Sequence, residues 1–126
     1  MPNLFPSHDR QTRLVSKVKE ESDSLWTRAQ NDLSNPTIEP YRAKKKIWHS
    51  LRFLIFAEQI LRDGSITNYS AANYLYEPII NSQRNDFQYY IDNYENIREQ
   101  MKSNLDNYLD DGPNFTLLDN ITGVSR

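Results

Sequence analysis

The chain of 126 residues contains no cysteine, only three glycines and only two histidines, His8 and His49. The absence of cysteine excludes disulfide bonds and thiolate metal sites. With two histidines far apart in the sequence, the usual nucleophilic and metal constellations of enzymes are missing, so we expect no catalytic and no metal-binding residues in this chain. Long apolar runs are also missing, because the mean hydropathy is -0.81 and the apolar run over residues 53–57 is far too short to span a bilayer. No secretory leader is recognisable, and we expect a cytoplasmic location, with the nucleus also compatible, and no membrane partner.

The apolar residues recur at helical spacing, and no stretch alternates as a strand would. The spacing predicts an all-α fold, a four-helix bundle-like single domain with a short third helix. We expect a helical domain over residues 1–111 and a flexible C-terminal tail over residues 112–126. The helices are predicted over residues 8–33, 42–62, 71–76 and 86–110.

Helix-end signals support these bounds. Ser7 is a plausible N-cap for the first helix, and Pro40 suits the first turn of the second. Gly64 follows the second helix as a natural stop. Ser70 is predicted to cap the short third helix, and Pro78 is expected to kink or finish it.

The second helix carries apolar residues on most of its surface, which is typical of a helix buried among several neighbours. Lys45, His49 and Arg52 interrupt this surface at spacings of four and three, so they share one face, and Gln59 extends the same line. Lys, Arg and protonated His present only donors, which suits a phosphate or a carboxylate ligand. Alternatively, His49 and Arg52 bind carboxylates of a neighbouring helix.

Charge is distributed unevenly along the chain, although the net charge is only -2. Residues 41–62 hold six Lys or Arg against one Glu, a net charge of +5. Residues 85–111 hold seven Asp or Glu against two Lys or Arg, a net charge of -5. The two segments either neutralise each other inside one fold or present opposite faces to different partners.

A set of polar, aromatic and small residues recurs in and after the second helix: Lys44, Lys45, His49, Arg52, Phe56, Gln59, Ile60, Gly64, Ile66, Tyr69, Ser70, Ala72 and Asn73. This pattern resembles the helical region that follows the catalytic domain in predicted polymerase-beta-type nucleotidyltransferases associated with RNA repair and RNA ligases. The similarity covers roughly a third of the chain and departs from the family pattern at Ala57, Asn68 and Pro78.

The resemblance implies an accessory role rather than catalysis. Gly64-Ser65 is the only Gly-Ser pair, and no Asp-x-Asp follows it to hold the metal ions that such enzymes need. We therefore expect no cofactor in this chain, and Mg²⁺ only where a separate catalytic domain is present. The expected function is a non-catalytic accessory or substrate-binding domain that binds the phosphates of a nucleotide or an RNA end. The predicted substrate-binding residues are Lys44, Lys45, His49, Arg52, Tyr69 and Asn73.

Two alternatives stay open at the level of the sequence. Tyr69 and Asn73 either face the ligand or serve as a hydrophobic staple and a surface residue at the cap of the short helix. The whole chain is either the phosphate-binding domain described above or a helical protein-interaction module without nucleotide binding, using its acidic helix or its Tyr-rich face. The partner would then be a catalytic nucleotidyltransferase domain or another protein.

Overall fold

The computed structural model describes residues 7–111, and this part of the chain is helical with no strand, which confirms the all-α prediction. The short third helix spans residues 73–80, and the fourth spans residues 87–111 without a break. The predicted tail over residues 112–126 lies outside the described residues. The elements are α1 (His8–Leu33), α2 (Pro40–Asp63), a 3₁₀ turn (Asn73–Leu75), α3 (Tyr76–Ile80), α4 (Phe87–Tyr90), a π turn (Ile91–Glu95) and α5 (Asn96–Asp111).

The ends of the two long helices follow from local chemistry. The Ser7 hydroxyl accepts a hydrogen bond from the Arg10 N–H at 3.3 Å, so the predicted N-cap of α1 is confirmed. Pro40 occupies the first turn of α2, where a missing N–H leaves no bond unmade. Gly64 ends α2 in a left-handed conformation with φ of 85°, which glycine adopts without steric cost.

The short third helix differs from the prediction. Ser70 does not cap it; instead, its N–H donates to the Asn68 side chain at 2.9 Å within a turn, and the 3₁₀ turn begins only at Asn73. Pro78 neither ends nor breaks the helix, because it is the third residue of α3. In the first turn of a helix a backbone N–H has no intrahelical acceptor, so a proline is tolerated there.

The fourth helix is as long as predicted but is not regular. A π turn over Ile91–Glu95 separates α4 from α5, and the apolar spacing did not predict it. The buried side chains Phe87, Tyr90 and Tyr94, spaced three and four residues apart, still lie in one core cluster.

The core is organised around α2, which packs against α1, α3 and α5. Its N-terminal half contributes Ile47 and Leu51 to a cluster with Trp26, and its C-terminal half contributes Leu54 to a second cluster with Val15. Burial is less complete than predicted, because α2 buries one broad side and leaves Phe53 41% exposed on the other. Between residues 7 and 111 no helix is both long enough and apolar enough to cross a bilayer.

Candidate functional site

The outer side of α2 carries two cations, Lys45 and Arg52, with His49 between them, and we call these three residues the cationic stripe. All three are partly exposed. Their spacing places them on one face, and at 1.5 Å of rise per residue the stripe extends over about 10 Å of helix. This length suits a ligand that carries extended negative charge.

Aromatic rings support the two long cations of the stripe. The Lys45 ammonium lies 5.5 Å from the centroid of the Tyr41 ring. The Arg52 guanidinium lies 5.1 Å from the Trp48 centroid and 4.7 Å from the Phe56 centroid. Such contacts favour a cation electrostatically without occupying its N–H groups in hydrogen bonds to an acceptor. The donors of Lys45 and Arg52 are therefore held in place but still available.

The acidic side chains of residues 7–110 form no ion pair with the cationic stripe. Within this range no ion pair involves Lys45, His49 or Arg52, and none joins residues 41–62 to residues 85–110. The ion pairs that α2 does form lie outside the stripe. They join Lys46 to Asp32 on α1 and Arg62 to its neighbour Asp63. The structure therefore does not support the alternative in which His49 and Arg52 bind carboxylates of a neighbouring helix.

His49 reports the electrostatic state of the stripe. Burial lowers the pKa of its imidazole, and the positive charges of Arg52 and Lys45 lower it further. The ring also contacts Trp48, with 4.9 Å between the ring centroids. At neutral pH the imidazole is therefore mainly uncharged. A bound anion would raise its pKa, because a negative charge favours the protonated form.

Tyr69 and Asn73 lie near aromatic side chains that contact Arg52 of the cationic stripe. Tyr69 is 67% exposed, and its ring meets Phe56 edge to face with 5.8 Å between centroids, so one aromatic side chain links Tyr69 to Arg52. Asn73 is exposed and lines a groove of about 650 Å³ that borders Trp48. The staple interpretation does not fit Tyr69, because this side chain stays mostly in solvent.

Lys44 is not brought together with the other predicted site residues. Its side chain is buried, and its ammonium donates to the Ser82 carbonyl oxygen at 2.6 Å in the loop after α3. Burial also lowers its pKa. One residue of helix rotates a side chain by about 100°, which turns Lys44 away from Lys45 and toward this loop. The position of Lys44 indicates a structural role.

Gln59 does not extend the stripe as predicted, because it is buried. Its side-chain oxygen accepts the N–H groups of Thr67 at 2.9 Å and Asn68 at 2.8 Å. Its side-chain nitrogen donates to the Asn68 carbonyl at 2.9 Å. Gln59 therefore fixes the loop that presents Tyr69. A lone amide on an apolar face, shortly before a turn, is the sequence signal for this role.

Trp48 lies between the cationic stripe and an adjacent groove, because it contacts Arg52 and also lines the groove. Its indole N–H donates to the Ala72 carbonyl at 2.9 Å, and its ring meets Tyr76 edge to face with 4.9 Å between centroids. These contacts fix the ring against which Arg52 stacks. The groove beside it is lined by Trp48, Asn73, Tyr74, Tyr76, Glu77 and Pro78.

Among residues 7–111, no three His, Asp or Glu side chains are grouped closely enough to hold a metal ion. Comparisons with protein-family models, with curated proteins and with solved structures give no match to this chain. The geometry of the cationic stripe and its surroundings is therefore the basis for the functional assignment below.

Proposed function

We propose that this chain is a non-catalytic helical accessory or substrate-binding domain that holds the phosphates of a nucleotide or an RNA end on its cationic stripe. The observation that carries this proposal is that no carboxylate of the described residues pairs with Lys45, His49 or Arg52, which share one face of α2. The resemblance to the helical region of nucleotidyltransferases points to the same ligand class.

Each residue of the stripe has a distinct role in this proposal. Arg52 presents a planar guanidinium, which suits bidentate contact with phosphate oxygens, and its two aromatic neighbours fix the orientation. Lys45, whose ammonium lies over the Tyr41 ring, adds a point charge. His49 takes up a proton when phosphate binds, so the stripe gains positive charge only in the presence of the ligand.

The role of the stripe is to bind and orient the ligand rather than to make or break bonds. A separate catalytic domain would supply the chemistry, together with the Mg²⁺ ions that phosphoryl or nucleotidyl transfer requires. That domain is the first candidate for a protein partner. A cytoplasmic or nuclear location is compatible with such a role.

The test compares stripe variants with a variant of equal charge change elsewhere. Lys45→Glu and Arg52→Glu should abolish binding of a nucleoside monophosphate and of a short RNA with a terminal phosphate, without changing the circular-dichroism spectrum. Lys17→Glu on the exposed side of α1 is the matched control and should bind normally. Binding by the wild type should weaken as salt is raised.

Three ligands separate the possible sources of the phosphate. If the RNA end is the ligand, the phosphate-ended RNA should bind more tightly than both the same RNA without its terminal phosphate and the free nucleotide. If the free nucleotide is the ligand, adding the RNA chain should not improve affinity. The proposal is contradicted if the wild type shows no salt-sensitive binding to any of them.

The alternative function, a protein-interaction module, is supported by fewer features of the exposed surface. The core includes Tyr90 and Tyr94, so much of the Tyr-rich side of the fourth helix faces inward. Phe53 and Ile97, 41% and 38% exposed, are the observation that favours a protein partner. This alternative gains if no phosphate ligand binds and a purified partner co-elutes with the wild type but not with Phe53→Ser.

A further inference from the structure

The groove next to the cationic stripe combines aromatic walls with two exposed polar side chains. Trp48, Tyr74 and Tyr76 supply the aromatic surface, and Tyr74 is 65% exposed. Asn73 and Glu77 are both exposed at the groove. A flat, partly apolar ligand with hydrogen-bonding edges fits this combination of groups.

The cationic stripe and the groove adjoin at Trp48, which contacts Arg52 and also lines the groove. This ring lines the groove, and the Arg52 guanidinium lies 5.1 Å from its centroid. Trp48 is held in place by its hydrogen bond to the Ala72 carbonyl and by its edge-to-face contact with Tyr76. A ligand whose phosphate meets Arg52 therefore places its next group at the mouth of the groove.

We propose that this groove binds the nucleobase of the nucleotide whose phosphate lies on the cationic stripe, and that it prefers guanine to adenine. The inference rests on the proposed function, because the phosphate contact brings the base to the groove. Tyr74 supplies an exposed ring for stacking, which tolerates every base. The preference between bases comes from the polar groups.

Glu77 determines the preference for guanine. An ionised carboxylate is an acceptor only, and it can accept two parallel hydrogen bonds. Guanine offers two adjacent donors, N1–H and the N2 amino group, whereas adenine places the lone pair of N1 beside its amino group. The amide of Asn73 can donate to the guanine O6 at the same time. The negative charge of Glu77 also keeps phosphate out of the groove, which fixes the direction of the ligand.

The experiment measures the binding of GMP, AMP, ribose 5-phosphate and guanosine, with the quenching of tryptophan fluorescence as the readout. Trp48 lines the groove, while Trp26 is buried in the core and provides a constant background. Wild-type protein should bind GMP more tightly than AMP, and AMP more tightly than ribose 5-phosphate. Calorimetry provides the affinity for ligands that do not quench.

Two variants in the groove separate stacking from base recognition. Tyr74→Ala should lower the affinity for GMP about tenfold and leave that for ribose 5-phosphate unchanged. Glu77→Gln should remove the difference between GMP and AMP while leaving AMP binding intact. Both side chains are exposed, so both variants should keep the wild-type circular-dichroism spectrum. Arg52→Ala should weaken GMP, AMP and ribose 5-phosphate alike.

The outcomes distinguish the two proposals. If ribose 5-phosphate binds as tightly as GMP and AMP, or if Glu77→Gln retains the difference between GMP and AMP, the groove inference is overturned and the phosphate site stands. If no phosphate ligand binds but guanosine binds and Tyr74→Ala abolishes it, the proposed function fails and the groove site remains. If neither the phosphates nor guanosine bind, both proposals are overturned.

Discussion

Two groups of cations in this molecule use similar residues for different purposes. In the first group, Arg98 and Lys102 of α5 meet Asp23 of α1, with N–O distances of 2.6 Å and 2.9 Å. In the second group, the cationic stripe on α2, no carboxylate from residues 7–110 forms an ion pair with the cations. We call the first group the paired cluster.

Contact with an aromatic ring does not distinguish the two groups. The Arg98 guanidinium lies 4.8 Å from the Trp26 centroid, much as Arg52 lies over Trp48. The two groups differ in whether an anionic side chain contacts the cations. At Asp23 burial raises the pKa, but hydrogen bonds from Arg98 and Lys102 outweigh it and leave the pKa below its ordinary value. At His49 the neighbouring charges are both positive, so they add to burial in lowering the pKa.

The two groups differ in whether the described part of the chain supplies carboxylates to the cations. The paired cluster links α1 and α5, and its two cations lie beside two carboxylates, Asp23 and Glu99. The cationic stripe presents Lys45 and Arg52 on one helix face, and a ligand anion would compensate their charges.

The largest expected effect is on the paired cluster. Arg98→Ala should lower the free energy of unfolding by about 3 kcal/mol, because it removes a buried guanidinium between Trp26 and Asp23. Urea denaturation followed by circular dichroism measures this change. Arg52→Ala is the matched control and should cost less than about 0.5 kcal/mol, as is usual for partly exposed residues. Equal losses in the two variants would remove the distinction between the groups.

A smaller effect is expected at the loop that presents Tyr69. Gln59→Ala should lower the free energy of unfolding by about 1.5 kcal/mol, because the backbone groups of Thr67 and Asn68 lose their hydrogen-bond partners. Urea denaturation measures the stability change, and amide exchange at residues 67–68 measures the loosening. Unchanged exchange at these amides would show that Gln59 does not hold the loop.

The next change adds a carboxylate beside the cationic stripe. Phe53→Glu places an acid one helical turn after His49, and it should weaken phosphate binding by about 1 kcal/mol, or roughly fivefold. Phe53→Gln is the neutral control of equal size and should bind like the wild type. Isothermal titration calorimetry measures both. Equal phosphate affinity of the two variants would show that a carboxylate beside the stripe does not weaken the binding of anions.

The smallest effect is expected for an exposed ion pair that joins the same two helices as the paired cluster. Lys19 and Asp106 lie 3.0 Å apart, with side chains 30% and 50% exposed. Lys19→Met should change the free energy of unfolding by about 0.5 kcal/mol or less, since solvent screens such pairs. Urea denaturation measures the difference, and a loss as large as that of Arg98→Ala would show that burial does not decide the strength of these pairs.

The sequence predicted the long helices well because their signals are local. Ser7, Pro40 and Gly64 act within a few residues of the positions they define. The start of the short third helix was wrong because Asn68, rather than Ser70, organises the preceding turn. The π turn of the fourth helix was missed because the spacing of Phe87, Tyr90 and Tyr94 is equally compatible with a regular helix.

The candidate site was predicted in part for the same reason. Helical spacing alone places Lys45, His49 and Arg52 on one face, so the cationic stripe was visible in the sequence. Spacing cannot identify the partners of each cation, because partners such as Asp23 and Arg98 lie 75 positions apart. The burial of Lys44 and Gln59 depends on the loops that pack over them, and these loops are positioned by the tertiary fold.

The pKa of His49 tests the central claim most directly. Ring signals of His49 are followed by nuclear magnetic resonance from about pH 5 to about pH 8, with and without a saturating nucleoside monophosphate. His8, at the start of α1 and outside the stripe, is the internal control. We predict a pKa below its ordinary value without ligand, because of burial and the charges of Arg52 and Lys45, and a rise when phosphate binds. Binding near neutral pH should accordingly be coupled to the uptake of a proton by His49. A His49 pKa that does not change when the ligand is added would contradict the account.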